Sequence, residues 1–255
     1  MKVGIRENGF RQDARDLSQL QLFDEVAKLG YQGIELATMP ERDERGRTRR
    51  GIWPEELKAG DAAAIRAASA ARGLEIPTVC PNWIRSYGEY HPYLDDWKRA
   101  TELIKKDIDF CSEVGAKVIL VTLAFARATW YQTCAILDEW ATYGATKGVK
   151  VGFEGSCFHR IGLGGQDKLI KLVDEVDNPY LGIYGHPQSA GKANADEIRM
   201  VGHRLIGFHS SAPRTDVDYA EMFKALREVD YDWYTIFEIS GDDIQTSKQR
   251  WDSLQ

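Results

Sequence analysis

Lys150-Val-Gly-Phe-Glu154, Leu181-Gly-Ile-Tyr-Gly-His186, Leu205-Ile-Gly-Phe-His209 and Tyr234-Thr-Ile-Phe-Glu238 decide how this chain is read, and all four lie between Val149 and Ser240. Each run is short and mostly apolar, as suits a strand covered on both faces of a parallel sheet. Each also ends on a carboxylate or an imidazole. If the four strands are parallel neighbours, their C-terminal ends bring Glu154, His186, His209 and Glu238 together, one residue per strand. Two carboxylates and two imidazoles make a donor set for a divalent metal.

Outward from that stretch, strand-like runs alternate with helical spacing. A strand over residues 3–6 precedes apolar positions Leu20, Phe23, Val26, Ala27 and Leu29, a helix closed by Gly30. A second strand at 33–36 leads into a charged insertion reaching Leu57. An alanine-rich helix over 61–72 ends at Gly73, and a strand over 74–80 runs into a turn at Pro81-Asn82-Trp83. The longest helix spans 94–114 and stops at Gly115. A wholly buried strand over 117–123 and a helix over 131–146 complete the first half. Between and after the four opening runs the spacing predicts helices over 166–176, 194–201, 219–229 and 243–254.

Eight strands, each followed by a helix, imply parallel pairing through crossovers. At 255 residues the chain has the size of one closed (β/α)8 TIM barrel, an α/β fold with a single domain over 1–255. An open doubly wound sheet is the rival. The loop after the first strand, Arg6-Glu-Asn-Gly-Phe-Arg11, lacks the G-x-G-x-x-G of a dinucleotide-binding sheet, so the barrel is favoured.

Composition narrows the function. The formal net charge of -6 removes the basic face that nucleic-acid backbones need. The basic cluster between Arg42 and Arg50 is interleaved with acids and reads as a solvated loop. Four cysteines (Cys80, Cys111, Cys134, Cys157) show no C-x-x-C spacing, which argues against a disulfide framework and for a reducing compartment. The chain opens directly on a strand, without a leader or a long apolar run. The expectation is a soluble cytoplasmic protein with no membrane partner.

In a (β/α)8 barrel the active site lies at the C-terminal ends of the strands. Mixed carboxylate and imidazole donors suit manganese, cobalt, iron, nickel or zinc better than calcium. Four protein donors on one side leave positions for substrate oxygens, such as those of an α-hydroxy ketone, with the metal as Lewis acid. Taken singly, each residue has an ordinary structural explanation: a hydrogen-bonded histidine, or a glutamate paired with an arginine. Together at one level of four successive strands, unpaired buried carboxylates would be costly, and metal binding is the favoured account. His203 precedes the seventh strand and reads as structural. His91 reads as part of a surface loop. His159, after the fifth strand, either touches substrate or caps the glycines at 162–165. Glu35 and Trp83 are further pocket candidates.

The phrases Phe23-Asp-Glu-Val-Ala-Lys-Leu-Gly-Tyr-Gln-Gly-Ile-Glu-Leu36, Lys147-Gly-Val-Lys-Val-Gly-Phe-Glu154, Asn178-Pro-Tyr-Leu-Gly-Ile-Tyr-Gly-His186, Ile206-Gly-Phe-His209 and Phe237-Glu238 resemble the xylose-isomerase-like sugar isomerase/epimerase superfamily over nearly the whole chain. The resemblance implies metal ligands Glu, Asp, His and Glu on strands five to eight, matched here by Glu154, His209 and Glu238. It departs at His186, which stands at the aspartate position, and at Ser189, where a second histidine is frequent. Two negative ligands instead of three imply a stronger Lewis acid of softer preference. Manganese is the first expectation, with cobalt, magnesium, zinc, iron and nickel compatible.

The resemblance further implies that the metal holds a carbonyl and the adjacent hydroxyl of an open-chain sugar. One of Glu154 and Glu238 removes the proton between them to give an enediolate, and the other returns a proton from the opposite face. Arg214 resembles an arginine that holds substrate hydroxyls. No glycine-rich loop after strands seven or eight supports a phosphate site, so an unphosphorylated ketose or keto sugar is expected. A lyase or dehydratase acting on a keto sugar, an inosose or a 3-keto C-glycoside is the main rival, since it begins with the same proton removal. An apurinic-site endonuclease and a non-catalytic accessory barrel are lesser rivals. The expected assembly is a homo-oligomer or a subunit of a hetero-complex.

Overall fold

A computed structural model describes residues 1–7, 9, 17–39, 52–84, 94–122, 129–154, 166–186, 193–211, 218–239 and 243–253. Among them the strands are β1 (Lys2–Arg6), β2 (Gly33–Thr38), β3 (Thr78–Pro81), β4 (Val118–Thr122), β5 (Lys150–Glu154), β6 (Leu181–Gly185), β7 (Leu205–Ser211) and β8 (Tyr234–Glu238). The helices are α1 (Gln19–Lys28), α2 (Asp61–Ala70), α3 (Leu94–Val114), α4 (Trp130–Lys147), α5 (Gln166–Val176), α6 (Ala193–Val201), α7 (Tyr219–Glu228) and α8 (Asp243–Asp252). Each strand pairs in parallel with its neighbour in chain order, and β8 closes on β1. The sheet is a closed single-domain (β/α)8 barrel, and the doubly wound alternative is excluded.

Local chemistry sets the element ends. Ser18 and Gln21 form a capping box at the start of α1, and Thr129 and Gln132 form another at α4, each satisfying backbone N–H groups that the helix cannot. Gly148 ends α4 with φ 67°, a left-handed value that favours glycine. β3 is shorter than the apolar run predicts, 78–81 instead of 74–80. Pro77 has no N–H to give a ladder, and Glu75 before it makes only an isolated bridge to Gly33.

Along a regular strand the two faces divide cleanly. In β5, Val151 and Phe153 join the outer core under the helices, while Gly152 and Glu154 take the lumen side. Trp140, Phe23, Phe153 and Phe208 are among the largest fully buried side chains of that outer layer, each contributing about 1.5–3 kcal/mol by burial. Inside the barrel a smaller cluster of Cys80, Val118, Leu120 and Tyr184 fills the lumen. Tyr184 fits there because Gly207 has no side chain: a Cβ at that position would come within 2.2 Å of the tyrosine ring.

β7 carries the irregularity that matters most. Ile183 is paired with Leu205, yet the next residue, Tyr184, is paired with Gly207, so β7 has one extra residue at Ile206. A one-residue shift exchanges the two faces of a strand. Leu205 belongs to the outer core, Ile206 packs on the luminal cluster, and Phe208 is again outside. The bulge thus puts Gly207 and His209 on the luminal side. No described helix is long and apolar enough to cross a membrane.

Candidate metal centre

Glu154 ends β5, His186 directly follows β6, His209 lies within β7 and Glu238 ends β8. One donor atom from each lies within 4.8 Å of all the others. His186 Nδ1 is 2.6 Å from Glu154 Oε1 and 3.6 Å from Glu238 Oε2. His209 Nδ1 is 3.6 Å from Glu154 Oε1 and 3.7 Å from Glu238 Oε2. His186 and Glu238 are thus close enough to share one cation.

The imidazole of His209 is wholly buried, and its two nitrogens are differently placed. Nε2 lies 3.1 Å from both oxygens of Glu35, while Nδ1, aimed at the cluster, has no hydrogen-bond partner among the described residues. A buried polar atom without a partner is costly, and one facing two carboxylates and a second imidazole is suited to a cation. A carboxylate holding the far nitrogen of a ligating histidine is the usual way its tautomer is fixed. The residues therefore fit a divalent metal of the His/Glu type.

Glu35 is held in turn. The Tyr184 hydroxyl donates to its Oε2 at 3.1 Å, and Arg6 Nε stands 3.4 Å from its Oε1. The Tyr184 ring meets His209 edge-on with centroids 4.7 Å apart. Arg6, the last residue of β1, also donates to Glu238 Oε1 and Asn82 Oδ1, with Cys80 Sγ at 3.3 Å from its Nη2. Burial alone would raise the acids, but His186 and His209 hold Glu154 well below the usual carboxylate range. His209, Arg6 and Tyr184 do the same for Glu35, to a smaller extent. Burial lowers His209, yet Glu35, Glu154 and Glu238 together push it up to about 10. A divalent cation would compete with that proton for the same nitrogen.

The other sequence candidates are placed differently. Glu35 is fully buried, with its carboxylate against Nε2 of His209. Trp83 is packed in the outer core, where its indole N–H donates to Asp107 Oδ2 of α3 at 2.8 Å and its ring meets Trp53 edge-on. His203 lies in the 3-10 turn Gly202–Arg204 that leads into β7. Arg214, His159, His91, Ser189, Cys157 and the basic cluster at 42–50 lie outside the described residues. Reading the sequence missed Arg6, Asn82 and Tyr184. Arg6 did carry a signal: it is a charged residue at a strand's C-terminal end, two positions from Gly4 and hence on the same face.

A family model described as xylose isomerase-like TIM barrel matches residues 23–254. A search of curated proteins finds no match. Among solved structures, D-psicose 3-epimerase from Clostridium cellulolyticum H10, crystallised with D-tagatose, superposes with a TM-score of 0.74 at 16% identity, covering 98% of this chain and 90% of that one. The 3-keto-D-glucoside 4-epimerase of E. coli gives 0.71 at 16%, covering 100% and 98%. A xylose isomerase-like TIM barrel protein from Mycobacterium smegmatis, in complex with magnesium, gives 0.72 at 12%, covering 99% and 95%. At these identities the superpositions establish the shared fold.

Proposed function

Because the chain belongs to the xylose isomerase-like TIM barrel family, we propose that it is a divalent-metal-dependent sugar isomerase or epimerase acting on an unphosphorylated ketose or keto sugar. The observation that carries this reading is the convergence of Glu154, His186, His209 and Glu238, with the buried Nδ1 of His209 unpartnered among them. The structural neighbours support it, since two of those named are sugar epimerases. Manganese is the preferred ion on the chemistry of a mixed nitrogen and oxygen donor set.

When bound, the cation would supply a Lewis acid that polarises a sugar carbonyl and makes the neighbouring C–H more acidic. Glu154 and Glu238 stand on β5 and β8, at separate positions around the cluster. One carboxylate takes the proton beside the carbonyl, and the other returns a proton to the opposite face. His186 and His209 hold the centre, and Glu35 keeps Nε2 of His209 protonated so that Nδ1 is the donor. Arg214 and His159, in the segments that follow β7 and β5, are the proposed contacts for sugar hydroxyls.

The test is to load the protein with manganese and incubate it with a panel of ketoses and 3-keto glycosides in deuterated water. Solvent deuterium entering the carbon beside the carbonyl, without loss of water or aglycone, supports isomerisation or epimerisation. Release of water or aglycone would assign the site to elimination instead. Failure to retain a stoichiometric divalent ion after loading and desalting would overturn the metal reading.

A further inference from the structure

Arg6 is a buried cation placed against a cluster that is itself suited to a cation. Its side chain is 9% exposed, and it touches two carboxylates with different jobs. On one side it donates to Glu238 Oε1. The other oxygen, Oε2, is the one facing His186 and His209 at 3.6 and 3.7 Å. On the other side Arg6 pairs with Glu35, the group that holds Nε2 of His209. Asn82 and Cys80 complete its cradle. Arg6 therefore contacts one proposed ligand directly and a second through its orienting acid.

Two consequences follow from charge and geometry. A carboxylate with both oxygens free can chelate a cation through both; with Oε1 engaged by a guanidinium, Glu238 offers one. The buried carboxylates Glu35 and Glu154 and the half-buried carboxylate Glu238 bring three negative charges and Arg6 one positive, so a divalent cation brings the cluster to neutrality. Without Arg6 the same cation would sit in a net negative site and be held more strongly.

We propose that Arg6 is a positioning residue of the metal centre: it confines Glu238 to one oxygen, keeps a coordination position open for the sugar, and limits how tightly the ion is held. This rests on the metal-binding reading above. A lysine would keep the charge but lacks the planar fork that spans Glu238 and Glu35 together.

The experiment compares wild type, Arg6→Met and Arg6→Lys, with manganese affinity measured by titrating free Mn(II) by electron paramagnetic resonance. The visible spectrum of the cobalt-loaded proteins and their thermal melts complete the comparison. Arg6→Met is expected to bind manganese about tenfold or more tighter and to show weaker visible cobalt bands, the mark of an added oxygen ligand. Arg6→Lys is expected to bind manganese within about threefold of wild type yet still show the altered cobalt spectrum. If both variants melt lower but keep wild-type affinity and spectrum, Arg6 is only a structural ion pair and the proposal is wrong. Weaker binding with an unchanged spectrum overturns it equally. If wild type itself binds neither ion, the metal reading has failed, which is distinguishable because the variants are not then needed.

Discussion

Asp107, on the inner side of α3, offers a quantitative test of how the outer core is built. It is 1% exposed, its Oδ2 accepts from the Trp83 indole, and its Oδ1 meets no hydrogen-bond geometry with a partner among the described residues. Burial pushes its carboxyl up to about 7, against a partial lowering by Trp83 and the Thr38 hydroxyl. In the unfolded chain an aspartate ionises near 3.8. Between those values the folded protein holds a proton that the unfolded chain has lost. Raising the pH from about 4 to about 7 therefore destabilises the fold, and the effect levels off above. Integrating the two titrations gives a loss of about 2–3 kcal/mol between pH ~5 and ~8. Asp107→Asn removes the titration and keeps an acceptor for Trp83. Urea unfolding of both proteins across that range should show the variant gaining on wild type by that amount as pH rises, since other groups cancel in the difference. A difference that stays flat with pH would show that Asp107 is already ionised in the folded protein, and the burial argument would fail.

Further expectations concern the centre. With Oε1 of Glu238 engaged by Arg6, Glu154→Gln should lower solvent-deuterium exchange by about a hundredfold or more, and by more than Glu238→Gln; equal losses would argue that the two acids are interchangeable. Gly207→Ala pushes a methyl into the Tyr184 ring, at 2.2 Å before relaxation. It should cost about 1–3 kcal/mol and also weaken metal retention, because Tyr184 holds Glu35; a melt shift without any change in metal affinity would separate the two. Chelator treatment should lower the melting temperature, and excess manganese should restore it by the equivalent of about 3–4 kcal/mol at 100–1,000 times the dissociation constant.

The strand-end residues are legible in the sequence because a buried strand and its polar tip are both local features. Glu154 and Glu238 end their strands where the apolar runs stop, and His186 follows directly. The apolar content of 74–80 predicts a longer strand than the observed β3, because Pro77 cannot give the ladder an N–H. The place of Trp83 after β3 makes it a pocket candidate in the sequence, whereas its indole contact with Asp107 of α3, a partner remote in sequence, is visible only in the fold.

Periodicity by itself determined the alternation of strand and helix, hence parallel pairing, with one titratable tip on each of four successive strands; chain length and the missing glycine-rich loop favoured a barrel over an open sheet. That much follows because backbone geometry repeats every few residues and its apolar faces must be covered. Closure of β8 onto β1 is what brings Arg6 against Glu238, 232 positions away, and sets Glu35 and Tyr184 beneath His209. The extra residue at Ile206 decides which way His209 points. Those arrangements depend on the register between strands and on contacts across the lumen, which exist only once the cylinder has closed.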